Sequence, residues 1–386
     1  MNSKNETHPA VLVMGTYMLT DIDDKKITAF RHLVNDNNRF VLKAYANKQG
    51  KNQWNLICSS MDWISVAIRN LHSFPALDSS IDVRVMQIYS LISSIDIVNE
   101  AVMQLHRVFF GNSTKLMPFK GEKSVFRGRV FDKDDSDYFK EIRACFGAHP
   151  VNLNGEGKEK RFASWPYEGF TKSSSDLEVR LYSNDPNKDD IVLGLNFKEL
   201  VAFLQSRYDY LDNISLEIER QYELCKNELA SNTITHCIDM RESVDILLKE
   251  NESRFNNDYY RSTLEELALL LSTHLSEADL AEEELKFKNR LEPLIKELRQ
   301  NSQEVNIVDL QHDDLLNPTS SIERTLQYEL PKFYSCVLGH RRYEDPLFEF
   351  YLKRINEVSS DRYQLKVSDS DGQLLLKLKL ILDSIP

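Results

Sequence analysis

From about Ser80 to Phe110 the chain contains no proline and no glycine, and apolar side chains recur at Val85, Ile88, Leu91, Ile92, Ile95, Ile97, Val98, Val102 and Leu105. These positions cover more than one face of a helix. Such a helix is unstable in water alone and must be buried among other helices. This stretch therefore predicts a mainly α protein with a helical core. Asn55 to Leu71 reads as a further helix, with Met61, Ile64, Val66, Ala67 and Leu71 near helical spacing. Arg39 to Tyr45 reads equally as a strand or as a helix end.

Gly111 ends the long helix, and a cationic segment follows. Residues 107–130 carry Arg107, Lys115, Lys120, Lys123, Arg127 and Arg129 against Glu122 alone, with Phe109, Phe110, Phe119 and Phe126 interleaved. Cations release counterions from a polyphosphate backbone, and rings can stack on bases. The plainer reading is a loop whose phenylalanines pack and whose lysines are solvated. Asp132 to Asp137 then supplies an N-cap and first-turn acids for a helix carrying Tyr138, Phe139, Ile142, Cys145 and Phe146. That helix must stop near His149, because Pro150 disfavours helical geometry in the residue before it.

The pattern next turns to strands. Phe162 to Tyr167 is one candidate, and Leu177 to Tyr182 with Ile191 to Phe197 reads as a hairpin across the turn-forming Asn184 to Asp189. From about Lys198 to Ala230 one long helix is expected. Leu204, Tyr208, Leu211, Ile218, Tyr222, Cys225 and Leu229 keep heptad spacing, as in a coiled coil or an ordinary core helix. More helices are expected near 234–250, 258–275, 277–301 with a break at Pro293, 319–337 and 345–357. Leu374 to Leu380 fits a final helix or a hairpin strand. The organisation expected is thus residues 1–160 as a helical domain, 161–197 as a small β element, and 198–386 as an acidic helical domain.

Charge separates the halves: of the net −12, residues 1–200 sum to +1 and residues 201–386 to −13. The five scattered cysteines form no CxxC pair, which fits free thiols in a reducing compartment. No run reaches the length of a membrane span, and the Ala10–Leu19 stretch lacks the basic flank of a signal peptide. A cytoplasmic protein without membrane contact is the expectation. No phosphate-binding glycine loop, HExxH or nucleophile elbow is present, and no two histidines stand at helical metal-ligand spacing, so neither metal nor cofactor is expected.

One constellation carries chemistry: Glu141-Ile142-Arg143 followed by Ala148-His149, with five residues between the arginine and the histidine. In its order after a long helix, a basic loop and an acidic cap, it resembles the HEPN superfamily, helical proteins that include many metal-independent ribonucleases. The resemblance covers roughly residues 60–160. It implies a HEPN-like antiparallel helical bundle, with the sheet as an insertion and the acidic half as a second domain. It also implies a homodimer with the active site composed across it, RNA as substrate, and a setting in toxin–antitoxin systems or phage defence. An antitoxin or another protein then becomes a candidate partner.

Arg143 would hold the scissile phosphate and His149 would move the protons, since a histidine titrates near neutral pH and a guanidinium fork suits phosphate oxygens. Glu141 would orient one of them, while Lys115, Lys120, Lys123, Arg127 and Arg129 would track the RNA backbone. On a regular helix Arg143 and His149 would lie about 120° apart and about 9 Å along the axis, so convergence needs local distortion or a second copy. Ala144 stands where active members commonly carry a polar residue. The rival reading is a non-catalytic scaffold that binds RNA, nucleotide or protein, and a third is an acidic half that mimics nucleic acid or sequesters a basic partner.

Overall fold

The computed structural model of the chain describes residues 19, 22–111, 117–148, 153–154, 159–167, 175–254, 257–318, 325–359 and 361–384. Among them the protein is mainly helical with one small antiparallel sheet. It forms two compact units, Met1–Tyr222 and Glu223–Pro386. No helix among the described residues is long and apolar enough to cross a membrane.

In the first unit α1 (Lys25–Asp36), α2 (Asn38–Tyr45) and α3 (Gln53–His72) precede the long α4 (Ile81–Phe110). The ambiguous 39–45 stretch is therefore helix. Val85, Ile88, Leu91, Ile92, Ile95, Val98, Val102 and Leu105 of α4 are all buried, against α3, α6 and the end of α5. Each such side chain stabilises the fold by roughly 1.5–3 kcal/mol. The element α5 (Asp135–Arg143) is capped by Asp134, whose carboxylate accepts from Asp137 N–H at 2.9 Å.

Four strands, β1 (Leu153–Asn154), β2 (Lys160–Ala163), β3 (Leu177–Ser183) and β4 (Ile191–Leu195), pair antiparallel in chain order. Leu177, Val179 and Leu181 of β3 and Leu193 and Leu195 of β4 form the buried face. Phe162 and Tyr182 pair across β2 and β3 on the other face and are exposed. The hairpin turn expected at 184–189 is present, with Asp185 accepting from Asn187 N–H at 3.0 Å.

The single long helix expected from Lys198 is instead two, α6 (Phe197–Asp209) and α7 (Leu211–Ser231), separated at Tyr210. The seam residues Leu204, Tyr208, Leu211 and Ile218 are core of the first unit. Burial in the chain's own core explains their spacing. The Tyr208 hydroxyl ties α6 to the start of α1, accepting from Ile27 N–H and donating to the Asp23 carbonyl, both at 2.9 Å.

The second unit is built from α8 (Met240–Arg254), α9 (Asp258–Ser272), α10 (Ala281–Arg290), α11 (Glu292–Glu304), α12 (Asp313–Leu316), α13 (Glu329–Leu338), α14 (Phe348–Val358) and α15 (Asp371–Ser384). Pro293 sits in the first turn of α11, where its missing N–H leaves no helical bond unmade. The ambiguous 374–380 run is the centre of α15 and is buried on every side. That includes Lys377, whose ammonium meets Glu277 at 2.8 Å and Asp369 at 2.9 Å. Lys379 meets Glu266 and the Asn317 side-chain oxygen, both at 2.7 Å, over the Tyr334 ring.

Candidate functional site at the end of α5

Arg143 is the last residue of α5, and its side chain is 46% exposed. Its Nε lies 3.1 Å from Asp96 Oδ2 on α4. Burial raises the Asp96 carboxyl above its ordinary range and Glu100 adds to this, while Arg143 pulls it back. The acid thus fixes the guanidinium at its Nε, while close to half of the side chain stays open to solvent. Asp96 went unseen in the sequence, although a signal was there: it is an acid enclosed by Ile95 and Ile97 in an apolar helix.

The chain does not continue as a regular α-helix after Arg143. Ala144–Ala148 forms a π-helical turn. Pro150 has no N–H to give the carbonyl four residues back, so the α-ladder cannot run through this end. Wider turns of this kind recur at functional sites. The 120° and 9 Å offset assumes α geometry throughout, which Ala144–Ala148 does not have. Cys145 and Phe146 of this turn are buried, and burial, with the nearby Glu141 charge, pushes the Cys145 thiol up to about 12. His149 itself lies outside the described residues, as does Lys115. Glu141 is paired with Lys133 rather than with Arg143.

The cationic loop is organised around a carboxylate of its own. Asp135 is fully buried and accepts from the backbone N–H groups of Ser124 (2.9 Å), Val125 (3.1 Å) and Phe126 (3.2 Å). The Arg129 guanidinium closes on the same carboxylate and also donates to the Lys133 and Lys123 carbonyls, at 3.1 Å each. Arg129 is thus engaged inside the loop. Lys123 is paired with Asp132 at the surface. Lys120 and Arg127 are exposed, and no ion pair is made by either among the described residues. Arg127 is held by its backbone, donating to Glu199 Oε1 at 3.0 Å.

The interleaved rings serve the fold rather than facing solvent. Phe109 and Phe126 are buried, and Phe110 stacks on His106. Phe119 covers Arg207, a buried residue of α6 whose guanidinium lies 3.9 Å from that ring and 4.0 Å from Phe203. It donates to Ser136 Oγ at 2.9 Å. Burial pulls Arg207 down to about 10, against the opposing pull of Glu122, Asp135 and Asp134. Neither Asp135 nor Arg207 was legible as a loop anchor, because each acts on a segment distant in sequence or on backbone groups.

Among the described residues no group of three or more His, Cys, Asp and Glu side chains is placed to hold a metal ion. The fold and site define a mainly helical protein with a small antiparallel sheet, an arginine presented at a helix end and a self-anchored cationic loop. Comparison with protein-family models, curated proteins and solved structures finds no match.

Proposed function

We propose that the protein is a metal-independent endoribonuclease of the HEPN kind, acting as a homodimer with a composite site. The observation that carries this reading is Arg143, half-exposed at the end of α5, braced by Asp96 and followed at once by a π-helical turn leading toward His149. In the reaction, His149 takes the proton of a ribose 2′-hydroxyl as its oxygen attacks phosphorus. The bond to the 5′-oxygen breaks, and that oxygen receives a proton from the histidine of the facing copy. The products are a 2′,3′-cyclic phosphate and a 5′-hydroxyl end, and no co-reactant is consumed. Arg143 neutralises the phosphate charge. Lys120 and Arg127 are the loop cations left to meet the RNA backbone. A cytoplasmic role in toxin–antitoxin or phage defence is the setting that belongs to this reading.

The second reading, a non-catalytic RNA-binding or protein-interaction scaffold, is favoured by one feature. Arg129, Lys123 and Glu141 are each already engaged by neighbours within the chain. Purified protein incubated with end-labelled RNA in EDTA separates the two. Cleavage by the wild type that is lost in both Arg143→Ala and His149→Ala supports the nuclease. RNA retention without cleavage supports the scaffold, and cleavage that survives both substitutions sinks the assignment of the site.

A further inference from the structure

The outward face of the sheet contains one residue that breaks its pattern. Glu178 of β3 sits opposite Gly194 of β4, on the side where Phe162 and Tyr182 are exposed, yet it is only 5% exposed. No hydrogen bond or ion pair is made to its carboxylate among the described residues. Its carboxylate oxygens open onto the cavity beside it, where solvent or a ligand can supply the donors. Glu178 lines a half-open cavity of about 280 Å³ between the sheet, α5 and the cationic loop. Phe126, Tyr138, Ile142 and Val192 give it an apolar wall, and Ser175 and a second carboxylate, Glu199, whose Oε1 accepts from Arg127 N–H, stand at its sides. Gly194 lets the Ser175 side chain pack directly over β4, since a Cβ there would run into its hydroxyl.

The cavity adjoins both halves of the candidate site. Ile142, on its wall, precedes Arg143, and Gly128 on its rim follows Arg127. Its volume lies just below the range of pockets for drug-sized ligands, which suits a single flat ring system. The ligand must bring two adjacent N–H donors to a carboxylate against an apolar wall. Among RNA bases only guanine does so, with N1–H and the N2 amino group on one edge, whereas adenine presents an acceptor at N1.

We propose that this cavity is a guanine-binding subsite, with Glu178 accepting from N1–H and N2–H of an unpaired guanine. The inference rests on the RNA reading above and adds base preference to it. Single-stranded RNA is commonly read in this way, through splayed bases hydrogen-bonded on their pairing edges.

Calorimetric titration of the full chain with guanosine, inosine and adenosine tests it. Nucleosides carry no scissile phosphate, so the result is independent of cleavage. Guanosine should bind at least about tenfold tighter than adenosine, the discrimination expected of a bidentate pair, with inosine between them. Glu178→Gln should remove that preference, and Arg143→Ala should keep it even where cleavage is lost or was never present. Equal affinity for guanosine and adenosine, or no binding of guanosine at millimolar concentration, overturns the proposal. Should Glu178→Gln fail to fold, the nucleoside series on the wild type still decides.

Discussion

Asp135→Asn isolates the contribution of one carboxylate to the cationic loop. The native side chain takes three backbone N–H groups and the Arg129 guanidinium, with no solvent exposure of its own. Asparagine keeps the shape but turns one acceptor oxygen into an NH2 aimed at other donors. Hydrogen bonds to a charged partner contribute about 1.5–3 kcal/mol each, and breaking a buried ion pair destabilises by about 3–5 kcal/mol. The surviving oxygen keeps one or two amides, and Arg129, 15% exposed, can lean toward water. The lower end, about 3 kcal/mol, is therefore expected, a large share of a total of about 5–15 kcal/mol.

With a urea slope of about 1–3 kcal/mol per molar, the unfolding midpoint should fall by about 1 M or more. Because the chain has two units, hydrogen exchange of the 124–126 amides gives the local reading, and it should speed up roughly a hundredfold. Lys123→Ala, which breaks a surface pair, should leave both readings unchanged. A midpoint within about 0.2 M of the wild type, with unaltered exchange, would refute the anchoring argument.

Arg207→Ala removes the guanidinium packed between Phe119 and Phe203 and should destabilise the first unit by about 3 kcal/mol in thermal denaturation. Arg207→Met, which keeps the packing volume, should recover part of that loss. In the second unit, hydrogen bonding to Lys377 and then Lys366 holds the Glu277 carboxyl at about 2, although partial burial opposes this. Its folded value is depressed, so its stabilisation is complete above the ordinary carboxylate range and fades as pH falls from about 4.5 toward 2. Solvent around the carboxylate brings its contribution to about 2 kcal/mol. The urea midpoints of wild type and Glu277→Gln should differ at pH 6, and the gap should narrow to about a quarter by pH 2.5; a constant gap would disprove the linkage.

Sequence periodicity carried most of the secondary structure. The unbroken apolar run of α4, the acidic capping stretch Asp132–Asp137 ahead of α5, the hairpin of β3 and β4 and the Pro293 break were legible because each is set by residues within a turn or two of one another. Hairpin chemistry at Asn184–Asp189 is local in the same sense. Heptad spacing over 204–229 was legible as an apolar face, but what that face meets was not. The division into α6 and α7 at Tyr210 left no mark in the spacing.

Local sequence set a helix stop near Pro150, but the α-helix ends earlier, at Arg143, where the π-helical turn begins. Which charges meet was decided by the tertiary structure. Arg143 finds Asp96 on α4, Arg129 turns inward to Asp135, and Glu178 is enclosed although its strand position faces outward. A backbone hydrogen-bond pattern repeats every few residues and leaves a period in the sequence. A side-chain partner is found across the fold, so the enthalpy of those pairings depends on coordinates that no local spacing encodes. The cations of the 107–130 segment show the difference most clearly: their number is written in the sequence, and folding alone selected which of them stay free.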